Sequence, residues 1–273
     1  MIKIFIDGIR FADMKVVFDE KYFEVYDTDP AADAGRLEPT YEKIVVKDPE
    51  FYEVVKPEPA TETDILRAHT KSHFEQIKRQ SMVFPMAMLA AGGAIKSAEL
   101  AFEGFPTFGL IRPPGHHASA DSCWGFCSFN NISIALLKLH SEKKIKSAFV
   151  LDFDLHTGDG NINILAQHPE ISTKILNPHA RNEKLYLEEV RNTFESLEKG
   201  SVDIICASAG FDDAIGDWGN TLSTMAYNKL GLMMKEYSEK LCKGRRFALL
   251  EGGYNFNLMP VNFNSFCKGF GEK

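Results

Sequence analysis

Four short apolar runs, at 107–111, 147–153, 202–207 and 246–251, each break off at a cluster of polar and glycine residues, and stretches of helical periodicity lie between them. Unbroken apolar runs read as strands buried on both faces, and their alternation with helices calls for a parallel sheet covered on either side. Helices are expected at 63–79, 86–102, 132–140, 162–167, 185–197 and 224–242, with one further strand at 174–176. The first sixty residues read as irregular, with short β-like runs at 2–6 and 44–46 broken by Asp, Pro and Ala-Gly. No repeat, low-complexity tract or Ser/Gly linker divides the chain, so residues 1–273 are expected to form one domain.

Composition narrows the class. A chain that is 44% hydrophobic and 25% charged is neither disordered nor fibrous. No stretch offers the ~18 uncharged apolar residues needed to span a bilayer, and Asp7 interrupts the N-terminal apolar run where a signal peptide would continue. Five cysteines (Cys123, Cys127, Cys206, Cys242 and Cys267) without disulfide-type spacing point to a reducing, cytoplasmic setting. A formal charge of −7 argues against a broad basic surface for nucleic acid and is compatible with a cationic substrate. The oligomeric state leaves no trace in the sequence.

The polar clusters carry the chemistry. Ligand crevices of open α/β sheets lie beyond the carboxyl ends of the strands, so clusters that follow four different strands should meet at one edge. Asp152, Asp154 and His156 alternate with apolar residues and, in an extended strand, project to one side. Two carboxylates and an imidazole suit a divalent metal, and the mixed N/O set is compatible with catalytic zinc, although the same aspartates could simply cap the next helix. Asp212 offers a third ligand, leaving one position open. His116 and His117, in a Pro-Pro-Gly turn, suit proton transfer near neutral pH, with Asp152 and Asp159 as orienting partners for the two rings. Tyr254, after Gly252-Gly253, places a phenol that could polarise a carbonyl opposite a metal.

The motifs Arg112-Pro113-Pro114-Gly115-His116-His117-Ala118, Gly125-Phe126-Cys127-Ser128-Phe129-Asn130-Asn131, Asp152-Phe153-Asp154-Leu155-His156-Thr157-Gly158-Asp159-Gly160, Ser208-Ala209-Gly210-Phe211-Asp212 and Glu251-Gly252-Gly253-Tyr254 occur in the order found in the histone deacetylase superfamily. The chain resembles that group, which includes acetylpolyamine amidohydrolases, over roughly Leu66 to Asn255. The resemblance implies the arginase/deacetylase fold: a three-layer α/β/α domain with a central, mostly parallel sheet of about eight strands. It implies one catalytic zinc ion held by Asp154, His156 and Asp212, with a structural potassium ion near the Asp152–His156 loop. It also implies His117 as principal general base and acid, oriented by Asp159, and His116 as its partner, held by Asp152. Tyr254 would bond the scissile carbonyl, and Gly125 and Phe126 would line a narrow channel. The implied reaction removes an acetyl or other acyl group from an acylated amine: acetyl-lysine, an acetylpolyamine or a small acylated metabolite.

Some features depart from the pattern. Thr157 stands where many relatives carry a second histidine, and its side chain should point away from the ligand face. The 179–203 segment lacks the Gly/Pro-rich loop that often walls the channel, so a more open rim is expected. Arg36 loosely resembles an N-terminal Arg-Leu element near the inner pocket, with a surface position as the competing expectation. His69 and His73, four apart on an expected helix but without an intervening glutamate after His69, read as cap and surface residues rather than metal ligands. Cys123 and Cys127 look like half a zinc knuckle, yet Cys127 belongs to the channel motif. Two other functions remain as alternatives: an arginase-like two-manganese ureohydrolase, which needs more carboxylates around the Asp-x-Asp-x-His turn, and a non-catalytic acyl-lysine binder.

Overall fold

The computed structural model describes residues 12–272, so the expected β-like run at 2–6 lies outside the described residues. Seven strands form one sheet: Met14–Val17 (β1), Tyr52–Val55 (β2), Thr107–Gly109 (β3), Ser147–Asp152 (β4), Ser172–Leu176 (β5), Ile204–Ala209 (β6) and Arg246–Leu250 (β7). Their order is β2-β1-β3-β7-β6-β4-β5, and every pairing is parallel. The helices are Glu38–Thr40 (α1), Glu62–Ile65 (α2), Lys71–Lys78 (α3), Val83–Phe102 (α4), Asn131–Ser141 (α5), Asp159–Ala166 (α6), Glu183–Glu195 (α7), Thr224–Cys242 (α8) and Met259–Phe270 (α9). α4 and α5 pack on each other and on β3, β6 and β7; α8 packs on α7, α9, β6 and β7, giving two helical layers around the sheet. The architecture is the expected α/β/α arrangement, with seven strands among the described residues rather than about eight. No helix among the described residues is long and apolar enough to cross a membrane.

The strand order explains why distant motifs can meet. β3, β7, β6 and β4 are consecutive neighbours in the sheet, and they are the four strands that end in polar clusters. Their register brings the ends level: Asp152 pairs with Ser208, Ala209 with Leu250, and Gly109 with Leu249.

Three expectations are corrected. Residues 12–60 are not simply irregular, because β1 and β2 extend the sheet. Their signal is masked by charge: Lys15 lies in β1 with its stem buried and its ammonium paired with Glu53 of β2. The 44–46 run is not a strand. Tyr41–Val45 continues α1 as a π-helical turn, and the buried positions Leu37, Thr40 and Val45 follow helical rather than alternating spacing. The helix expected at 63–79 is two helices. Thr61 and Asp64 form a capping box on α2, and the Thr70 hydroxyl accepts the His73 N–H to start α3 afresh.

α8 and α9 cross at backbone contact. A Cβ on Gly231 would strike the Phe266 carbonyl oxygen, and one on Gly269 would strike the Asn228 carbonyl oxygen. Alanine ordinarily gains about 1 kcal/mol over glycine in a helix. Here the atoms in the way belong to a helix backbone that cannot rotate aside, and overpacking costs about 1–3 kcal/mol. Gly231→Ala and Gly269→Ala are therefore expected to lower the urea midpoint, with the slope unchanged. An unchanged or raised midpoint would show that the helices can separate freely.

Candidate active site

β4 ends at Asp152, and residues 153–158 turn sharply into α6. The Asp152 and Asp154 carboxylates both reach the His116 ring, Asp152 Oδ2 at 3.2 Å from Nδ1 and Asp154 Oδ1 at 3.6 Å from Nε2. Asp152 Oδ2 also accepts from Asn161 Nδ2 at 3.1 Å. Gly158 is required at this turn, since a Cβ would collide with the same carboxylate oxygen. Asp154 accepts the backbone N–H groups of His156, at 2.9 Å, and Gly252, at 2.8 Å. Asp212, just past β6, accepts the Leu155 N–H through Oδ1 at 3.1 Å. One donor atom each from Asp154, His156 and Asp212 lie within 4.8 Å of one another.

That group is short of positive charge. Burial and the neighbouring Asp154 push the Asp212 carboxyl well above its usual range. Burial also works against ionisation of Asp154, but His116 and the bonds from His156 hold its carboxyl low. The nearby carboxylates of Asp154 and Asp212 raise His156 to about 10. Asp212 Oδ2 is buried and makes no hydrogen bond, although it sits 3.3 Å from His156 Nδ1. An orphaned carboxylate oxygen facing a nitrogen and a second carboxylate is a donor set that fits a divalent cation such as zinc.

The two histidines are tuned in opposite directions. Burial alone would lower His116, yet Asp154 and Asp152 outweigh it and raise this ring well above its ordinary value. Burial, reinforced by that charged neighbour, holds His117 down to about 4. His117 Nδ1 lies 2.6 Å from Asp159 Oδ1. At neutral pH the pair therefore offers one protonated and one neutral imidazole, the division of labour that acid–base chemistry needs.

A cavity of about 290 Å³ opens above these groups, walled chiefly by His116, His117, Trp124, Phe126, Trp218 and Tyr254. Gly125 and Phe126 both have positive φ, +59° and +65°, and this strained turn delivers the Phe126 ring to the wall, edge-on to Tyr254 at 5.8 Å. Asp217 Oδ2 accepts the Tyr254 and Asn255 N–H groups at 2.9 and 2.8 Å, which fixes where the phenol stands. Burial keeps that phenol protonated far beyond neutral pH. No residue of the 179–203 segment lines the cavity; Trp218, stacked on Tyr254 at 4.0 Å, forms the wall instead. Thr157 is exposed. A larger groove of about 450 Å³ beside Met82 and Phe84 holds no comparable cluster of titratable groups.

Several supporting residues escape a linear reading. Arg36 is fully buried rather than exposed, donating to the carbonyl oxygens of Glu251 and Gly253 and lying 5.4 Å from the Tyr254 ring centre. Glu251 Oε2 accepts the N–H groups of Gly115 and His116, at 2.7 and 3.2 Å, anchoring the histidine turn from beneath. His69 and His73 are not surface residues. His69 is 4% exposed, with Nδ1 bonded to the Ser119 carbonyl and Nε2 accepting the Asn130 N–H, while His73 Nε2 donates to the Ser128 carbonyl. Together they fasten the loop that carries Trp124, Gly125 and Phe126. Only their four-residue spacing on one helical face marked them, and it could not say what faced them.

Burial and His73 hold His69 down to about 3, against 6.5 in an unfolded chain. The unfolded state then takes up a proton near pH 6.5 that the folded state refuses. Stability on this account is full above pH 6.5 and is lost as pH falls towards 3, by at most about 5 kcal/mol. His69→Gln is expected to flatten the acid limb of stability against pH in denaturant titrations. A parallel loss in both proteins would contradict the assignment.

A model of the histone deacetylase domain matches residues 31–201, which include the His116-His117 and Asp152–Gly160 motifs, while Asp212 and Tyr254 lie beyond it. Histone deacetylase 10, chloroplastic, of Oryza sativa subsp. japonica is 28% identical over 194 residues, covering 60% of this chain and 44% of that protein. The chain thus spans under half that relative's length. A "probable deacetylase" of Archaeoglobus fulgidus is 26% identical over 292 residues, covering 88% of this chain and 81% of its own. The crystal structure of the HDA15 HD domain superposes with a TM-score of 0.82 over 95% of this chain and 90% of that one, at 22% identity, a likeness of fold. With more than half its length matched by the domain model, the chain belongs to the histone deacetylase domain family.

Proposed function

We propose that the site hydrolyses the amide of an acylated amine, with one zinc ion held by Asp154, His156 and Asp212. The observation that carries this reading is the placement of those three donors within 4.8 Å of one another, beside a neutral His117. When bound, the ion would polarise the acyl oxygen and acidify water. His117 accepts the proton of the attacking water at Nε2, because Nδ1 is committed to Asp159. Tyr254, held protonated by burial, donates to the developing oxyanion. The protonated His116 adds positive charge beneath the reacting centre, and a histidine returns a proton to the leaving amine. Trp124, Phe126 and Trp218 keep water from the mouth once an acyl chain enters.

Acetyl-lysine side chains, acetylpolyamines and small acylated metabolites all present the required linear amide. A structural potassium ion at the Asp152–His156 turn belongs to the same reading, as does a reducing compartment, in keeping with five free cysteines. A two-manganese ureohydrolase is disfavoured by the immediate surroundings, where His116, His117 and Tyr254 stand in place of further carboxylates.

Zinc-loaded protein is expected to release acid from a panel of acetyl-lysine peptide, acetylputrescine, acetylspermidine and longer acyl analogues. Tyr254→Phe should lower kcat by roughly 10²–10³-fold. No acid from any panel member, or a Tyr254→Phe variant as fast as the parent, would contradict the proposal.

A further inference from the structure

Trp124 and Trp218 are the only two tryptophans in the chain, and both stand half-exposed at the mouth of the same cavity. Trp124 has unusual neighbours. Its indole lies on the His117 imidazole, with ring centres 3.7 Å apart and planes tilted by 30°. Its Nε1–H donates to Asp159 Oδ2 at 2.9 Å, while Asp159 Oδ1 is the atom bonded to His117. The His116 ring also packs on His117, with ring centres 4.0 Å apart. His117 thus packs against two rings, and the carboxylate that orients it is bonded at both oxygens.

We propose that Trp124 is a positioning residue, its indole N–H locking Asp159 so that the carboxylate holds His117 in one tautomer and one orientation. The proposal rests on the reading of His117 as general base. Without the indole, the Asp159 side chain, 51% exposed, would be free to rotate towards solvent. Its bond to His117 would then be shared among several geometries. The fold of the loop supports a purpose beyond packing. Gly125 must lack a side chain because a Cβ there would strike the His117 ring, and the Cys127 N–H closes the turn on the Trp124 carbonyl at 3.0 Å. The backbone is therefore pressed onto His117 in the one conformation that brings the indole over the ring and its N–H onto the second oxygen. Trp218 provides an internal contrast: equally exposed, it stacks on Tyr254 and has no contact with Asp159.

The test separates the hydrogen bond from the stacking. Trp124→Phe keeps an aromatic ring over His117 and removes the donor. A bond to a carboxylate at a partly exposed site corresponds to roughly a tenfold loss of kcat, with KM little changed. In an Asp159→Ala background, which leaves no side-chain acceptor at that position, the same substitution should cost nothing further. Full activity in Trp124→Phe, or an equal loss in both backgrounds, would overturn the proposal. A second readout needs no turnover. With ¹⁵N labelling the two indole N–H signals can be assigned through Trp218→Phe, and Asp159→Ala, which removes the acceptor, should move the Trp124 signal. An unmoved signal overturns the bridge, whereas a moved signal in a protein that hydrolyses no amide condemns the reading of the site and leaves the bridge standing.

Discussion

Carboxylates gathered inside a protein repel one another, and the centre of this structure is an arrangement for tolerating that repulsion. At an effective dielectric of about 20, two unit charges 4 Å apart interact by about 4 kcal/mol, a large fraction of a domain's stability. Asp152, Asp154, Asp212 and Glu251 are all at least 95% buried at one end of the sheet. Each is managed separately. Asp152 is held by Asn161 and His116; Asp154 takes two backbone N–H groups; Glu251, raised to about 7 chiefly by burial, takes two more. Asp212 Oδ2 and Glu251 Oε1 are each left without a hydrogen bond, and of the two only Asp212 belongs to the Asp154–His156 group. What remains is an electrostatic demand for a cation at the point where Asp154, His156 and Asp212 converge.

The sheet makes that concentration of charge possible. Four neighbouring parallel strands, β3, β7, β6 and β4, stop level with one another, so the turns that follow them are forced into the same small volume. Backbone approaches there are too close for side chains: a Cβ on Gly210 or Gly252 would run into Asp154, and one on Gly160 into the Ala118 backbone. The glycines in the motifs are the steric condition for bringing the acids, the histidine pair and Tyr254 together. The same charge field then sorts the histidines, keeping His116 protonated between Asp152 and Asp154 and leaving His117 neutral.

Much of this was legible because the chemistry sits in short motifs at strand ends. The four buried runs, the α8 helix at 224–242 and the residues around Asp152–Asp159 could be placed by periodicity and spacing. What escaped depends on contacts between segments far apart in sequence. β1 hid behind Lys15, whose charge is met by Glu53 of the neighbouring strand. His69 and His73 looked like surface histidines because their partners, the carbonyls of Ser119 and Ser128, lie some fifty residues away. Arg36, which caps the Glu251 and Gly253 carbonyls from a buried position, could equally have been exposed. Trp124 and Trp218 carried no signal, since an aromatic residue in a loop announces nothing until the wall it forms is visible.

The central claim is that Asp154, His156 and Asp212 bind a single ion on which turnover depends. The most direct measurement is zinc content per chain, followed together with acid release, as chelator-stripped protein is reloaded stepwise. Turnover should rise in proportion to bound zinc, stop rising at one ion per chain, and fail to recover in Asp212→Asn. Hydrolysis that persists after the metal is stripped, or that continues to rise to two ions per chain, would contradict the account.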